Sequence, residues 1–195
     1  RTGHADALAF PTTTEELSAL MAYTARRGIP VTVSGARTGI AAGAVPDGGM
    51  VVSLERMGRA LGLKRSGPSE FLLRCQAGLL LSEIRDSVAS AHFADASQWS
   101  AADRDALSDL GRGDWFFPPD PTETSASVGG MIACNASGAH TFLYGPTRPY
   151  VKGLTVVMAD GSVLELRRGA VVADSDGAIV LRRADGQEIR VTTPH

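Results

Sequence analysis

Between Thr122 and Gly138 the chain reads TETSASVGGMIACNASG, and nearly every side chain in it is small. Such a stretch lets its own backbone N–H groups press against a bulky partner, because no branched Cβ holds that partner away. It is approached through Pro118, Pro119, Asp120 and Pro121 and left through Tyr144 and Gly145. It contains no strong nucleophile beside a base and no metal-ligand spacing. We read it as a seat for a large phosphate-bearing cofactor, with the chemistry supplied by the cofactor.

Composition narrows the alternatives. The 195 residues are 44% hydrophobic and 21% charged, ordinary for a globular protein and enough for one core or two small lobes. Net charge is −2 with both signs interspersed, and aromatics make up only 6%, so neither a nucleic-acid surface nor a base-stacking platform is indicated. No apolar run nears the roughly 20 residues that cross a bilayer, so no membrane span is expected. Cys75 and Cys134 have no metal-type neighbours and are read as reduced, mostly buried thiols of a cytoplasmic protein. Because the chain opens on Arg1, an upstream piece is expected to be missing.

The patterning predicts an α+β fold. Residues 6–10 form a short strand. Thr13 and Glu16 then fit a capping box, Leu17, Leu20, Met21 and Ala25 recur at helical spacing, and Gly28 sits where a C-cap belongs. Strands follow over 30–33 and 50–54, so the first subdomain, residues 1–59, needs a parallel crossover. In the second, residues 60–195, strands over 61–65 and 71–76 flank a turn, and Ser82 caps a helix carrying Leu81, Ile84 and Val88. Residues 94–114 read as an inserted excursion with an exposed helix over 100–110. Strands are expected over 151–158, 163–166, 170–173, 178–182 and 188–191, with turns at Gly161, Gly177 and Gly186. A parallel first half and an antiparallel second half give two subdomains.

A second glycine-rich loop, SGARTGIAAG from Ser34 to Gly43, directly follows a predicted strand. Its glycines permit close backbone approach and its hydroxyls can donate, which suits a diphosphate. It is neither a Walker loop, lacking Gly-Lys-Ser/Thr, nor a dinucleotide fingerprint running into a helix. Both loops are read as too small-sided to serve packing.

Together these residues resemble the FAD-binding domain of the vanillyl-alcohol-oxidase, or PCMH, type, nearest the branch of glycolate oxidase, D-lactate dehydrogenase and alkyl-dihydroxyacetone-phosphate synthase. The likeness runs from about Ala7 to Leu166. It rests on Pro11, Glu15 and Glu16, Gly28 to Val31 and the first loop, then on Asp120-Pro121, Ser127-Val-Gly-Gly130, Ile132-Ala133, Asn135 to Gly138 and Gly153 to Gly161. The resemblance implies a two-subdomain PCMH-type fold. It implies that Ser34, Gly35, Ala36, Arg37, Thr38, Gly39 and Ile40 cradle the FAD diphosphate. Pro119, Asp120, Ser127, Val128, Gly129 and Gly130 would line the diphosphate and ribityl chain. Asn135, Ala136, Ser137 and Gly138 would approach the isoalloxazine, and the backbone at Val156 the adenine. Two positions depart from the family pattern: Ser34 stands where an Arg is usual, and Arg37 where a Gly is usual. Some relatives attach flavin through a His in the first loop; none lies between Ser34 and Gly49, so the FAD is expected to be non-covalent.

The implied activity is oxidation of a small 2-hydroxy acid by a flavin-dependent oxidoreductase, with substrate handled by a C-terminal domain absent from this chain. No convincing base is visible, so this piece alone is expected to lack turnover. The alternatives are a binding module without redox function and an unrelated α+β enzyme using a nucleotide phosphate. His140 reads as a solvent-facing loop residue. His4, His92 and His195 are scattered without partner carboxylates, so no metal site is expected. Ser137 lacks a nucleophile elbow, and Trp115, Phe116 and Phe117 are read as packing at the edge of the core.

Overall fold

The computed structural model describes residues 2–192; His195, among the scattered histidines, lies outside them. The first helix, α1 (Thr14–Arg27), starts as its sequence dictates. Thr13 Oγ1 accepts the Glu16 amide at 3.1 Å, while Glu16 Oε2 accepts from the Thr12 amide at 2.8 Å and the Thr12 hydroxyl at 2.9 Å. It ends at Gly28, whose φ of 62° lets the chain reverse and return its N–H to the last turn. That helix connects β1 (Ala7–Ala9) to β2 (Val31–Ser34), and both strands pair in parallel with β3 (Met50–Ser53), giving the order β1-β3-β2.

The rest of the chain is built on antiparallel hairpins. In the first, β4 (Ala60–Gly67) and β5 (Glu70–Cys75) are joined at Pro68-Ser69. Against it pack α2 (Leu81–Ser90) and α3 (Ala101–Leu110), burying Leu63, Leu79, Ile84, Phe93, Trp99, Ala106 and Leu110 in one cluster. Each such large aliphatic is worth about 1.5–3 kcal/mol of burial. The supposed excursion over 94–114 is thus a wall of the core. Trp99 is 4% exposed and donates Nε1–H to the Ala60 carbonyl at 2.8 Å, and Ser100 caps α3 by accepting the Asp103 amide.

Two short helices, α4 (Val128–Ala133) and α5 (Thr141–Tyr144), precede the hairpin of β6 (Gly153–Val157) and β7 (Val163–Arg167). The last hairpin is β8 (Ala178–Arg182) with β9 (Glu188–Thr192). The β6–β7 turn is pinned to α1, where Ser18 Oγ donates to the Gly161 carbonyl at 2.6 Å.

Four further expectations are corrected. No strand forms over 170–173: the chain turns at Gly169, φ 79°, and that stretch has no ladder partner among the described residues. Helix α2 is entered at Leu80, not Ser82, because Glu83 reaches back to accept the Leu80 amide at 3.2 Å. Cys134 is exposed, while Cys75 is the shielded thiol. Finally, Trp115 meets Phe71 edge-on at 4.7 Å and Phe117 packs on the core, but Phe116 is 60% exposed.

Candidate functional site

The two glycine-rich segments, some ninety residues apart in sequence, meet. Ser127 is buried at 3% exposure, and its Oγ lies 3.4 Å from the Ala36 amide. A Cβ added at Gly35 would overlap that same Oγ, so only a glycine lets the first loop close on Ser127. Ser34, at the end of β2, is buried and fixed by its carbonyl, which accepts the Leu54 amide at 2.9 Å. Beyond Ala36 the loop opens outward: Arg37 and Gly39 are exposed, Thr38 is half-buried, and Ile40 is fully exposed. Among the described residues, chain neighbours aside, no atom lies within 4 Å of a Cβ built at Gly39 or Gly43. Arg37 sits at φ 60°, the left-handed region that favours glycine, which explains physically why a Gly suits this position.

The second segment is held differently. The Val128 amide donates to the Leu79 carbonyl at 2.9 Å and the Gly129 amide to the Ala77 carbonyl at 2.8 Å. A Cβ at Gly129 would stand 2.8 Å from that of Ala77. This glycine therefore serves packing, contrary to the reading of both loops as free of it. Gly130 is exposed beside Ser127, and α4 seals the seat from below with Met131 buried on Leu81 and Ala126.

The turn after α4 folds back onto the Pro119–Asp120 stretch. Asn135 adopts φ 46°, and its Oδ1 accepts the Arg148 amide at 2.9 Å. Ala136 is fixed through its carbonyl by the Thr147 amide at 3.1 Å and hydroxyl at 2.8 Å, while Ser137 is exposed. Gly138 packs on main chain, since a Cβ there would overlap the Asp120 carbonyl oxygen. Pro119 is fully buried, and the Asp120 carboxylate pairs with Arg85 on one side and with His140 Nδ1 at 2.9 Å on the other. The Arg85 hydrogen bond is the main cause holding the Asp120 carboxyl below its ordinary value, with the Arg85 and His140 charges adding to it against desolvation. Val156 lies on another element, β6, opposite Leu164, and takes no part in the junction.

Sequence reasoning missed Ala77, Leu79, Arg85 and Thr147, ordinary residues whose roles come from tertiary contact. It also missed the pairing of His140, which is 67% exposed yet bonded to Asp120. Chemically the junction suits an anion. Neither Ser34 to Gly43 nor Ser127 to Gly138 contains an acidic residue, the donors are amides, hydroxyls and one guanidinium, and the nearby Asp120 is already ion-paired. FAD, through its diphosphate, fits such a donor set and the open space at Gly39 and Gly43.

Fold and junction together define an α+β domain in which two glycine-rich segments free of acidic residues meet. The chain belongs to the FAD binding domain family, which it matches over residues 5–104 and 103–167. It is 36% identical to a D-lactate dehydrogenase of Anaerostipes hadrus, over 91% of this chain and 32% of that protein. It is 34% identical to a D-2-hydroxyglutarate dehydrogenase of Xanthomonas citri pv. viticola, over 88% of this chain and 31% of the other. The chain therefore spans about a third of the length of these relatives. Among solved structures, 6-hydroxy-D-nicotine oxidase from Arthrobacter nicotinovorans shares the fold at a TM-score of 0.61 and 16% identity, covering 95% of this chain and 35% of its own. A glucooligosaccharide oxidase of Acremonium strictum does so at 0.61 and 21% identity, covering 85% and 30%. These likenesses establish the PCMH-type fold expected from sequence.

Proposed function

We propose that this chain is the FAD-binding part of an FAD-linked oxidoreductase that oxidises a small 2-hydroxy acid. The observation that carries the reading is the contact of Gly35 and Ala36 with Ser127, which brings two acid-free, small-sided segments together in a chain of the FAD binding domain family. The substrate class is supported by relatives named for D-lactate and D-2-hydroxyglutarate.

Bound FAD would supply the hydride-accepting chemistry. The chain's own residues would hold it: Ser34 to Ile40 at the diphosphate, with Arg37 adding charge; Pro119, Asp120 and Ser127 to Gly130 along the diphosphate and ribityl chain; Asn135 to Gly138 beside the isoalloxazine; and the backbone at Val156 near the adenine. The attachment is read as non-covalent because no His lies between Ser34 and Gly49. Two free thiols, Cys75 and Cys134, go with a cytoplasmic setting. Since the chain spans a third of its relatives' length, we further propose that these residues alone bind FAD without turnover, substrate handling belonging to a further domain.

Titration of the purified chain with FAD tests this. At a hundredfold excess over Kd, binding adds about 2.7 kcal/mol, a rise of roughly 5–10 °C in Tm for a chain of this size. ADP should bind more weakly, and the yellow colour should leave with the supernatant on acid precipitation. A colourless protein whose Tm ignores FAD refutes the cofactor assignment. Oxidation of D-lactate by these residues alone refutes the division of labour.

A further inference from the structure

The Asp120 carboxylate is engaged on both sides. Oδ1 accepts from Arg85 Nη2 on α2, and Oδ2 lies 2.9 Å from Nδ1 of His140, just before α5. The Asp120 side chain is only 18% exposed, against 29% for Arg85 and 67% for His140. The same three stretches also touch through main chain. Arg85 Nη2 reaches the Pro119 carbonyl at 3.4 Å. A Cβ at Gly138 would overlap the Asp120 carbonyl oxygen and stand 2.8 Å from the Thr122 nitrogen. The Gly138 amide in turn donates to Thr141 Oγ1 at 2.7 Å, closing the turn that presents His140.

A free carboxylate beside an anion-seating junction would repel its ligand. Here it faces the Arg85 guanidinium and the His140 ring instead, so its geometry is that of a strut between elements. The Arg85 pair fixes Asp120 to a core helix, and the His140 pair fixes a turn to Asp120. That turn carries Asn135 to Gly138, the residues read as lying beside the isoalloxazine.

We propose that the Asp120 side chain is a positioning group: the Arg85–Asp120–His140 clasp holds the Asn135–Tyr144 turn against Pro119–Thr122, its carboxylate turned to the protein while only the main chain of that stretch faces the cofactor. The link to cofactor affinity rests on the FAD reading above; the clasp itself does not.

Amide hydrogen exchange on the apo protein, read by mass spectrometry alongside FAD titration, tests it on Asp120→Ala, Asp120→Asn and His140→Gln. Asp120→Ala should speed exchange across residues 136–145 about tenfold while leaving β3 at the wild-type rate, and should weaken FAD about tenfold. Asp120→Asn keeps an acceptor for Arg85 and should restore exchange to within about threefold of wild type. His140→Gln, at an exposed position, should give a milder local loosening of about threefold. Unchanged exchange in Asp120→Ala with FAD affinity lost would mean that the carboxylate binds the cofactor directly, and overturns the proposal. Unchanged exchange with unchanged affinity overturns it too. If the wild type binds no FAD, the cofactor reading fails while the exchange comparison still decides the clasp.

Discussion

Gly138→Ala is the sharpest test of how the second segment is built. The added methyl would overlap the Asp120 carbonyl oxygen and lie 2.8 Å from the Thr122 nitrogen and 2.9 Å from the Asp120 carbonyl carbon. Comfortable separation between such atoms is about 3.5–4.0 Å, so the overlap with the carbonyl oxygen requires the two stretches to part by roughly 1.5 Å. The three nearest obstructing atoms all belong to the main chain, where no rotamer change can yield. Overpacking of this kind costs about 1–3 kcal/mol. We place it near the upper end, since the displacement also strains the His140–Asp120 pair. At about 3 kcal/mol, Tm should drop by roughly 6–12 °C. If the turn instead detaches locally, Tm falls less and exchange in residues 136–145 rises more. In both cases FAD affinity should fall at least about tenfold, the equivalent of 1.4 kcal/mol. Gly39→Ala is the matching control. No atom lies within 4 Å of its Cβ and its φ is not positive, so apo stability should hold or rise by up to about 1 kcal/mol. Its FAD affinity should still fall, because the methyl enters the space assigned to the diphosphate. A Gly138→Ala protein that melts and binds like wild type refutes the reasoning.

Other perturbations separate the remaining contributions. Arg37→Gly removes left-handed strain of about 1 kcal/mol but adds unfolded-state freedom, so thermal melts should show Tm unchanged or slightly raised; a clear fall would show that Arg37 is needed by the fold. Acid titration should expose the depressed carboxylates. Glu16 is held low chiefly by the Thr12 amide, and Asp160 and Glu123 chiefly by the hydroxyls of Ser162 and Ser125. Groups with folded pKa values below the unfolded ones contribute stability above the ordinary carboxylate range and lose it as pH falls. Melting temperature should therefore decline below about pH 4, and Glu16→Gln should flatten that decline. With a thiol reagent at neutral pH, Cys134 should react fast and Cys75 slowly, because burial pushes the Cys75 thiol up to about 11. Equal rates at the two thiols would contradict the burial assignment.

Much of the fold was legible because its signals are local. The Thr13–Glu16 cap, the Gly28 terminator and the turns at Gly161 and Gly186 are decided within a few residues, and all stand where the sequence puts them. What misled was competition settled by distant partners. Ser82 has the chemistry of an N-cap, but its amide donates to the Thr124 carbonyl at 3.0 Å in a helix already begun at Leu80. Residues 94–114 look polar letter by letter. Of their buried members, Ala106 and Leu110 stand four residues apart on one face of α3 and Trp99 lies just before its cap, a sparse signal that polar neighbours obscure. Residues 170–173 have strand composition, but a strand exists only where a ladder partner is supplied.

The glycines carry the larger lesson, since similar composition has two different causes here. At Gly39 and Gly43 there is no described neighbour to avoid, so packing of the chain on itself does not require their smallness. At Gly129 and Gly138 the neighbours are Ala77 and the Asp120 main chain, so smallness lets the chain pack on itself. The amides confirm the division: those of Val128 and Gly129 are spent on the carbonyls of Leu79 and Ala77, which leaves α4 a brace more than an anion hole. Gly35 joins the two uses, because its lack of a Cβ is what brings the open loop onto the braced one at Ser127. In the FAD reading, the first loop then supplies the main-chain donors to the diphosphate while the second fixes where that loop can stand. Changes at Gly39 should therefore act on affinity with stability intact, and changes at Gly138 on both together.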